Sequence, residues 1–169
     1  MAVFPEILAG DRITDALLES MLPLHVVKST TETVTNNTYQ NDDELFLPSV
    51  ANAVYFVRLF LLHSSGTTGK FRVRFAGPSG STMNWGVHAA QNAQTSSTSV
   101  EIVSMPSRLL TDDQEMGGGN LAGTTAFVEG VFTTSSTAGN LTLQWAQIVT
   151  NAAATQVRAG SFLTMRRIA

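Results

Sequence analysis

Cysteine, charge and long apolar runs are all scarce in this sequence of 169 residues. It contains no cysteine, which excludes disulfide frameworks, thiolate zinc sites and cysteine nucleophiles. Charged residues make up 14% of the chain, against about a quarter in an average soluble domain. Their place is taken by 21 Thr, 15 Ser and 13 Gly. The net charge of −3 argues against a general nucleic-acid-binding protein.

Membrane and export signals are also missing. The longest apolar stretch is residues 54–62, which contains Arg58, whereas a helix that crosses a bilayer needs about 20 apolar residues. Residues 1–8 lack the basic and apolar regions of a signal peptide. We therefore expect a protein made in the cytoplasm without export and without a membrane partner.

From Val26 onward the apolar residues recur with a period of two. In residues 70–76, for example, Phe71, Val73 and Phe75 alternate with arginines. Eight or nine such segments, separated by Gly-, Asn- and Ser-containing turns, predict an all-β, antiparallel β-sandwich of jelly-roll type over residues 26–169. Its longest strand, residues 53–63, is apolar at both alternating positions, so we expect burial on both faces.

Two other stretches of this region carry weaker signals. Residues 99–105 alternate and predict a further strand, whereas residues 112–123, with Gly117-Gly118-Gly119 at their centre, predict the least ordered segment. The glycines lack the Gly-Lys-Ser/Thr ending of a phosphate-binding loop and indicate a flexible hairpin.

Residues 1–25 differ from the rest and predict an attachment arm. Thr14 can cap a short helix over residues 15–22, which Pro23 ends. Two turns are too short to be stable alone in water, so we expect this helix to pack on its own domain or on another subunit. The candidate attachment and assembly residues are the apolar ones, namely Phe4, Pro5, Ile7, Leu8, Ile13, Leu17, Leu18, Met21 and Leu22.

Candidate catalytic residues are few. The three histidines, His25, His63 and His88, form no ligand-spaced pair and are interpreted as strand-terminal residues. Trp85 and Trp145 could stack on sugars, but core aromatics of a sandwich explain them better. We predict no catalytic, metal-binding or cofactor-binding residue, and hence no enzyme.

Charge is unevenly distributed along the chain. Residues 1–50 contain eight acids and two bases, whereas residues 51–169 contain five acids and eight bases, of which seven are arginines. The densest acidic run, Asp42-Asp43-Glu44, lacks the spacing of a calcium loop and indicates a solvated loop or a subunit contact. The first interpretation of the asymmetry is solvated strand faces. The second is a subunit interface that pairs Asp42, Asp43 and Glu44 with Arg72, Arg74, Arg158 and Arg166 of a neighbouring copy.

Three ordered motifs resemble small virion proteins of tailed bacteriophages of actinobacteria. They are Ala9-Gly10-Asp11-Arg12-Ile13-Thr14-Asp15-Ala16-Leu17-Leu18, then residues 27–35 with Asn41-Asp42-Asp43-Glu44-Leu45, and finally residues 139–147 with 157–163. The resemblance covers almost the full chain. It implies a β-sandwich head, an N-terminal attachment segment and self-association as a homotrimer.

Two functions are compatible with this resemblance. The first is a capsid decoration (minor capsid) protein on the outer surface of the virion, which binds the major capsid protein and stabilises the shell. The second is a minor tail or tail-fibre head domain, which binds a tail protein and host cell-surface carbohydrate. The number of copies per virion separates the two.

Overall fold

The computed structural model describes residues 5, 7, 9–91, 102–103, 107–117 and 123–169. One helix precedes thirteen strands in this part of the chain. They are α1 (Asp15–Met21), β1 (Leu24–Val27), β2 (Glu32–Val34), β3 (Gln40–Ser49), β4 (Val54–Ser64), β5 (Phe71–Ala76), β6 (Thr82–Ala90), β7 (Ile102–Val103), β8 (Arg108–Leu109), β9 (Gln114–Met116), β10 (Thr124–Thr133), β11 (Gly139–Ala146), β12 (Thr155–Val157) and β13 (Phe162–Arg167).

The strands form two antiparallel sheets that face each other. The larger sheet has the order β1-β13-β4-β10-β6-β7, and the smaller one has the order β3-β11-β5-β9. Apart from β6, which extends the larger sheet beyond β10, and the short strands β2, β7, β8 and β12, eight strands remain, namely β1, β3, β4, β5, β9, β10, β11 and β13. Among these eight, the first lies beside the last and the second beside the seventh. This nesting is the jelly-roll arrangement. The predicted all-β, antiparallel jelly-roll sandwich is therefore confirmed.

The core lies between the two sheets, as strand periodicity requires. Strand β5 turns Phe71, Val73 and Phe75 inward, and each is fully buried. Trp85 and Trp145 are also buried, which confirms their interpretation as core aromatics. The rings of Trp85 and Phe75 are nearly perpendicular, with 5.3 Å between their centroids, a favourable geometry for aromatic pairs.

The predicted short helix is confirmed. Residues 15–21 are helical, and the Thr14 hydroxyl accepts a hydrogen bond from the backbone N–H of Leu17 at 3.2 Å. This side chain satisfies one of the N–H groups that a helix start leaves without a partner. Strand β1 then begins at Leu24, two residues before the predicted start of the head.

Three of the strand predictions need correction. Strand β4 buries only one face, because Phe56, Phe60 and Leu62 are half-buried on the outer side of the sheet and Arg58 is exposed. The segment from 112 to 123 contains β9, which pairs with β5. The period of two that begins at Val26 does not correspond to one continuous strand, because residues 28–31 separate β1 from β2.

Other predictions lie partly outside the described residues. Of the strand predicted over 99–105, the structure describes only Ile102 and Val103, which pair with β6. Gly118 and Gly119 also lie outside the described residues.

Candidate interaction surfaces

The apolar side chains of the arm are largely exposed to solvent. Ile13 is 72% exposed and Leu22 is 66% exposed. Among the other predicted attachment residues, the exposed ones are Ile7, Leu18 and Met21, and the half-buried ones are Pro5 and Leu17. Phe4 and Leu8 lie outside the described residues. The short helix therefore presents apolar surface that the described part of its own domain does not cover.

Lys28 is the most unusual buried residue. It follows β1, and its backbone N–H donates to the carbonyl of Ser161 at 2.7 Å. Its side chain is fully buried, and its ammonium lies 2.8 Å from Asp42 Oδ1 and 2.9 Å from Glu32 Oε2. Burial acts to lower the pKa of Lys28, but the hydrogen bonds to Asp42 and Glu32 outweigh it, so this pKa lies above its usual value. The amine is therefore held in its charged form.

A bulge in β3 brings Asp42 to this position. Between Asn41 and Phe46, strand β3 loses its register with β11. Asp42 Oδ1 accepts hydrogen bonds from the backbone N–H groups of Glu44 and Leu45 at 3.0 and 2.8 Å, which explains why this segment leaves the ladder. The bulge turns the Asp42 carboxylate inward, so that it joins the smaller sheet to Lys28 at the end of β1.

Glu44 holds the loop that follows Lys28. Its carboxylate accepts four hydrogen bonds, from the backbone N–H and the hydroxyl of both Ser29 and Thr30, at 2.6 to 3.0 Å. The hydrogen bonds from Thr30 and Ser29 lower the pKa of Glu44 from 4.5 to about 2. We call the set Lys28, Glu32, Asp42 and Glu44 the lysine clasp.

The clasp corrects the interpretation of the acidic run. Asp42, Asp43 and Glu44 lie in strand β3, so the solvated-loop interpretation is wrong. The Asp42 side chain is fully buried against Lys28 of its own chain and has no surface to offer a neighbouring copy. Asp43 is exposed, and its place in a subunit interface stays a prediction. Sequence reasoning missed Lys28, because buried lysines are rare; its spacing of four from Glu32 was the available signal.

Arg72 and Arg74 enclose an aromatic ring on the outside of the smaller sheet. Their guanidinium carbons lie 4.5 and 4.0 Å from the ring centroid of Tyr39, within the range of cation–π attraction. The Tyr39 hydroxyl donates to Asp113 at 3.0 Å, and burial and this carboxylate raise the pKa of Tyr39. Arg74 also donates to Gln144 at 2.8 Å. Both arginines thus have partners within their own chain.

The other two predicted interface arginines lie elsewhere. Arg158 follows β12, and its backbone N–H donates to Leu62 at 2.8 Å. Arg166 is exposed on β13, opposite Phe56 of β4. The structure therefore does not bring the four arginines together on one face, and their pairing with acids of another copy stays a prediction.

The outer face of the larger sheet carries an apolar row that crosses five strands. The strand registers place Val27, Phe162, Phe60, Phe127 and His88 side by side on β1, β13, β4, β10 and β6. The Phe60 ring lies 5.5 Å from Phe162 and 5.1 Å from Phe127, centroid to centroid. Phe127 is 51% exposed, and Phe162 is 40% exposed. We call this row the aromatic row.

A charged row lies next to it. This second row lies two residues away from the aromatic row on each strand. It consists, in the same strand order, of His25, Thr164, Arg58, Glu129 and Gly86. Arg58 and Glu129 form an ion pair at 2.6 Å, with 60% and 53% of their side chains exposed. Exposed pairs of this kind contribute little to folding stability. This polar row separates the aromatic row from Phe56 and Val131 one step further along.

His63 occupies the inner face at the end of β4. It is fully buried, and its ring stacks on Phe71 at 4.6 Å between centroids. Burial lowers the pKa of His63 from 6.5 to about 4, so the ring is neutral at pH 7. His25 and His88 are exposed. The three histidines do not meet, in keeping with their interpretation as separate strand residues.

Neither a metal cluster nor a membrane helix occurs in the described ranges. Within them, no group of three or more His, Asp or Glu side chains could hold a metal ion. The same residues include no helix with the length and apolar character needed to span a bilayer.

Comparison with known proteins gives likenesses of fold alone. No protein-family model matches the chain, and no curated protein matches it. The chain is similar to a solved structure of Eiger TNF from S. frugiperda, with 10% identity, a TM-score of 0.40, and coverage of 88% of this chain and 92% of that one.

Viral chains are among the other similar structures. The infectious bursal disease virus Gx strain matches with 9% identity and a TM-score of 0.22, and the VP2 subviral particle of that virus with 10% and 0.21. Each match covers 99% of this chain, which spans less than half of the viral chains.

Proposed function

We propose that this protein is a structural component of a tailed bacteriophage virion. In this proposal it is a capsid decoration protein that binds the outside of the major capsid shell, stabilises it, self-associates as a homotrimer and catalyses no reaction. The observation that supports this proposal best is the exposed apolar arm attached to the sandwich. Ile13 and Leu22 are more than three-fifths exposed, and exposed apolar clusters of this kind mark interaction sites.

The arm is well anchored for such a role. Directly after it, β1 pairs with β13, with Leu24 opposite Met165 and Val27 opposite Phe162. Lys28 then joins β3 through Asp42. A partner that binds the arm is therefore connected to both sheets within a few residues, as the attachment of a head to a shell requires.

The arm can be tested in the full-length chain. The double variant L18D/L22D places two charges on the exposed apolar surface of the arm, at Leu18 in α1 and at Leu22 directly after it, which are 52% and 66% exposed. We expect normal folding, because neither side chain is buried, and loss of binding to virions that lack the endogenous protein. The control is V149D, since Val149 is 53% exposed but lies outside the arm. Binding is measured by co-sedimentation, and full binding by L18D/L22D would refute the arm as the anchor.

The copy number tests the position on the particle. Gel densitometry of purified virions should give hundreds of copies per particle for a decoration protein, and a few to a few dozen for a tail component.

The aromatic row favours a second candidate, a minor tail or tail-fibre head that binds host cell-surface carbohydrate. Exposed aromatic faces such as Phe127, beside the polar pair Arg58–Glu129, can stack on sugar rings. Binding of purified host cell-wall polysaccharide that the variant F127S abolishes, together with a low copy number, would favour this candidate over decoration.

A further inference from the structure

The outer face of the larger sheet is broad and largely apolar, and the described part of the arm meets it at one margin, where Pro23 lines a cleft with Phe56 and Arg58. Besides the aromatic row it carries Val131, which is 42% exposed, and the half-buried Phe56. The described arm residues Met21 and Pro5 line a cleft with residues 166–168 at the C-terminal end of β13. They leave Phe127 half exposed to solvent.

The size of the face suits a protein partner. Five strands at about 4.8 Å spacing span about 20 Å, and the ten residues of β10 span about 34 Å. The face therefore covers roughly 700 Å². One partner contributes about 800 Å² to a protein–protein interface of standard size. A contact that used this face would be large enough for stable association.

The charge pattern suits a second copy of the same chain. The charged row has one exposed cation and one exposed anion on adjacent strands, Arg58 on β4 and Glu129 on β10. Around a threefold axis such rows do not repel one another, because the arginine of each copy can meet the glutamate of the next copy. The flanking apolar residues then lose contact with water, which provides the driving force.

We infer that the outer face of the larger sheet, with the aromatic row and the Arg58–Glu129 pair, is the surface through which copies of this chain associate. This inference rests on the self-association in the proposed function and specifies its contact surface. It differs from the interface predicted from the charge asymmetry, because it uses the outside of the larger sheet and not the acids of β3.

A matched pair of phenylalanines tests the face. Phe127 is 51% exposed on the larger sheet, and Phe46 is 41% exposed on β3 of the smaller sheet. We expect F127S to reduce the mass measured by light scattering at micromolar concentration from three times 18.1 kDa to 18.1 kDa, with an unchanged circular dichroism spectrum. The control F46S should keep the mass of the wild type.

The outcomes separate the inference from the proposed function. An oligomeric F127S variant would overturn the assignment of the face, while self-association would stand. A wild type that measures 18.1 kDa would overturn self-association itself, while virion binding through the arm would still be decided by the L18D/L22D variant.

Charge exchange provides a second test that does not depend on the apolar residues. The variant R58E carries two acids in the charged row, and E129R carries two bases. Each should associate more weakly than the wild type, because like charges then face each other across the contact. Mixing the two should form hetero-oligomers, detected by energy transfer between labelled chains. Absence of energy transfer in the mixture would place the charged row outside the contact and overturn the inference.

Discussion

Replacing Lys28 by methionine should destabilise the fold far more than the loss of an ordinary lysine would. The side chains of Lys28 and Asp42 are both fully buried, with their charged atoms 2.8 Å apart. K28M keeps the volume of the stem but leaves the Asp42 carboxylate buried without its cation. Breaking a buried ion pair by removing one partner costs about 3–5 kcal/mol.

The structure places the expected value near the lower end of this range. Asp42 Oδ1 keeps two backbone N–H donors, Glu44 and Leu45, in the variant. Glu32 and Glu44, which are 17% and 24% exposed, can turn toward water. We therefore expect a loss of about 3 kcal/mol in the free energy of unfolding, and a decrease in melting temperature of at least about 6 °C for a chain of this length.

The assay is chemical denaturation at pH 7. The slope of the free energy of unfolding against denaturant concentration should be the same in the wild type and the variant. The control is D113N, because the Asp113 side chain is 46% exposed in its pair with Arg72, and such pairs contribute less than about 1 kcal/mol. The double variant K28M/D42N should be more stable than K28M, because it removes the stranded carboxylate together with its cation.

Two results would refute this reasoning. One is a loss in K28M no larger than that in D113N, and the other is a double variant less stable than K28M.

Three further predictions concern pH and packing. The pKa of His63 is lowered from 6.5 to about 4 in the folded chain, so the unfolded chain binds a proton first as the pH falls. The free energy of unfolding of the wild type should therefore decrease by about 2 kcal/mol between pH 6.5 and pH 5. In denaturant titrations H63F should not show this decrease. Glu44, with its pKa lowered to about 2, adds a loss of stability only below about pH 4.5, which E44Q should lack in the same assay. G130A should lower the unfolding free energy by about 1–3 kcal/mol, because a Cβ there would lie 2.7 Å from the Asn84 carbonyl oxygen, whereas G86A, with nothing within 4 Å, should be nearly neutral; equal effects would contradict the packing argument.

The strands were predictable from the sequence where the alternation is local. Strand β5 shows this most clearly, since Phe71, Val73 and Phe75 alone indicate which face is buried. A two-residue period is contained within a few neighbouring residues, so it can be recognised without knowing which strand pairs with the segment. Strand β9 was missed because its three residues include Gln114 and Glu115 and lie beside a glycine run. Its position comes from pairing with β5, which is not written in its own composition.

The surfaces were harder to predict because they are assembled from distant residues. Phe60, Phe127 and Phe162 are far apart in the chain and become neighbours only through the register of β4 with β10 and β13. The sequence did contain one signal, since a strand that is apolar at both alternating positions has an outer face to cover. It did not show that this exposed outer face would extend over five strands.

The lysine clasp illustrates the same limit for charge. Asp42, Asp43 and Glu44 are consecutive, and a sequence interpretation treats them as one cluster of acids. The bulge gives each carboxylate a different environment, because Asp42 is buried against Lys28, Asp43 is exposed, and Glu44 accepts hydrogen bonds from Ser29 and Thr30. Side-chain direction within a bulge depends on which backbone N–H groups leave the ladder, and this is decided by tertiary contacts.

The positions of the arm, the lysine clasp and the outer face are compatible with separate functions, namely attachment, anchoring of β1 and association of copies. The part of the arm that precedes the sheet ends at Pro23, the ladder to β13 starts at Leu24, and Lys28 fixes the other end of β1 to the smaller sheet. Because β1 is fixed at both ends, a partner can bind the arm without detaching β1 from the sheet. The four residues of β1 alone would not be enough to keep the strand in place. Strand β1 also contributes Val27 to the aromatic row. The strand that carries the arm is therefore also a strand of the proposed contact face, so association of copies would stabilise the root of each arm and present several arms to one binding surface.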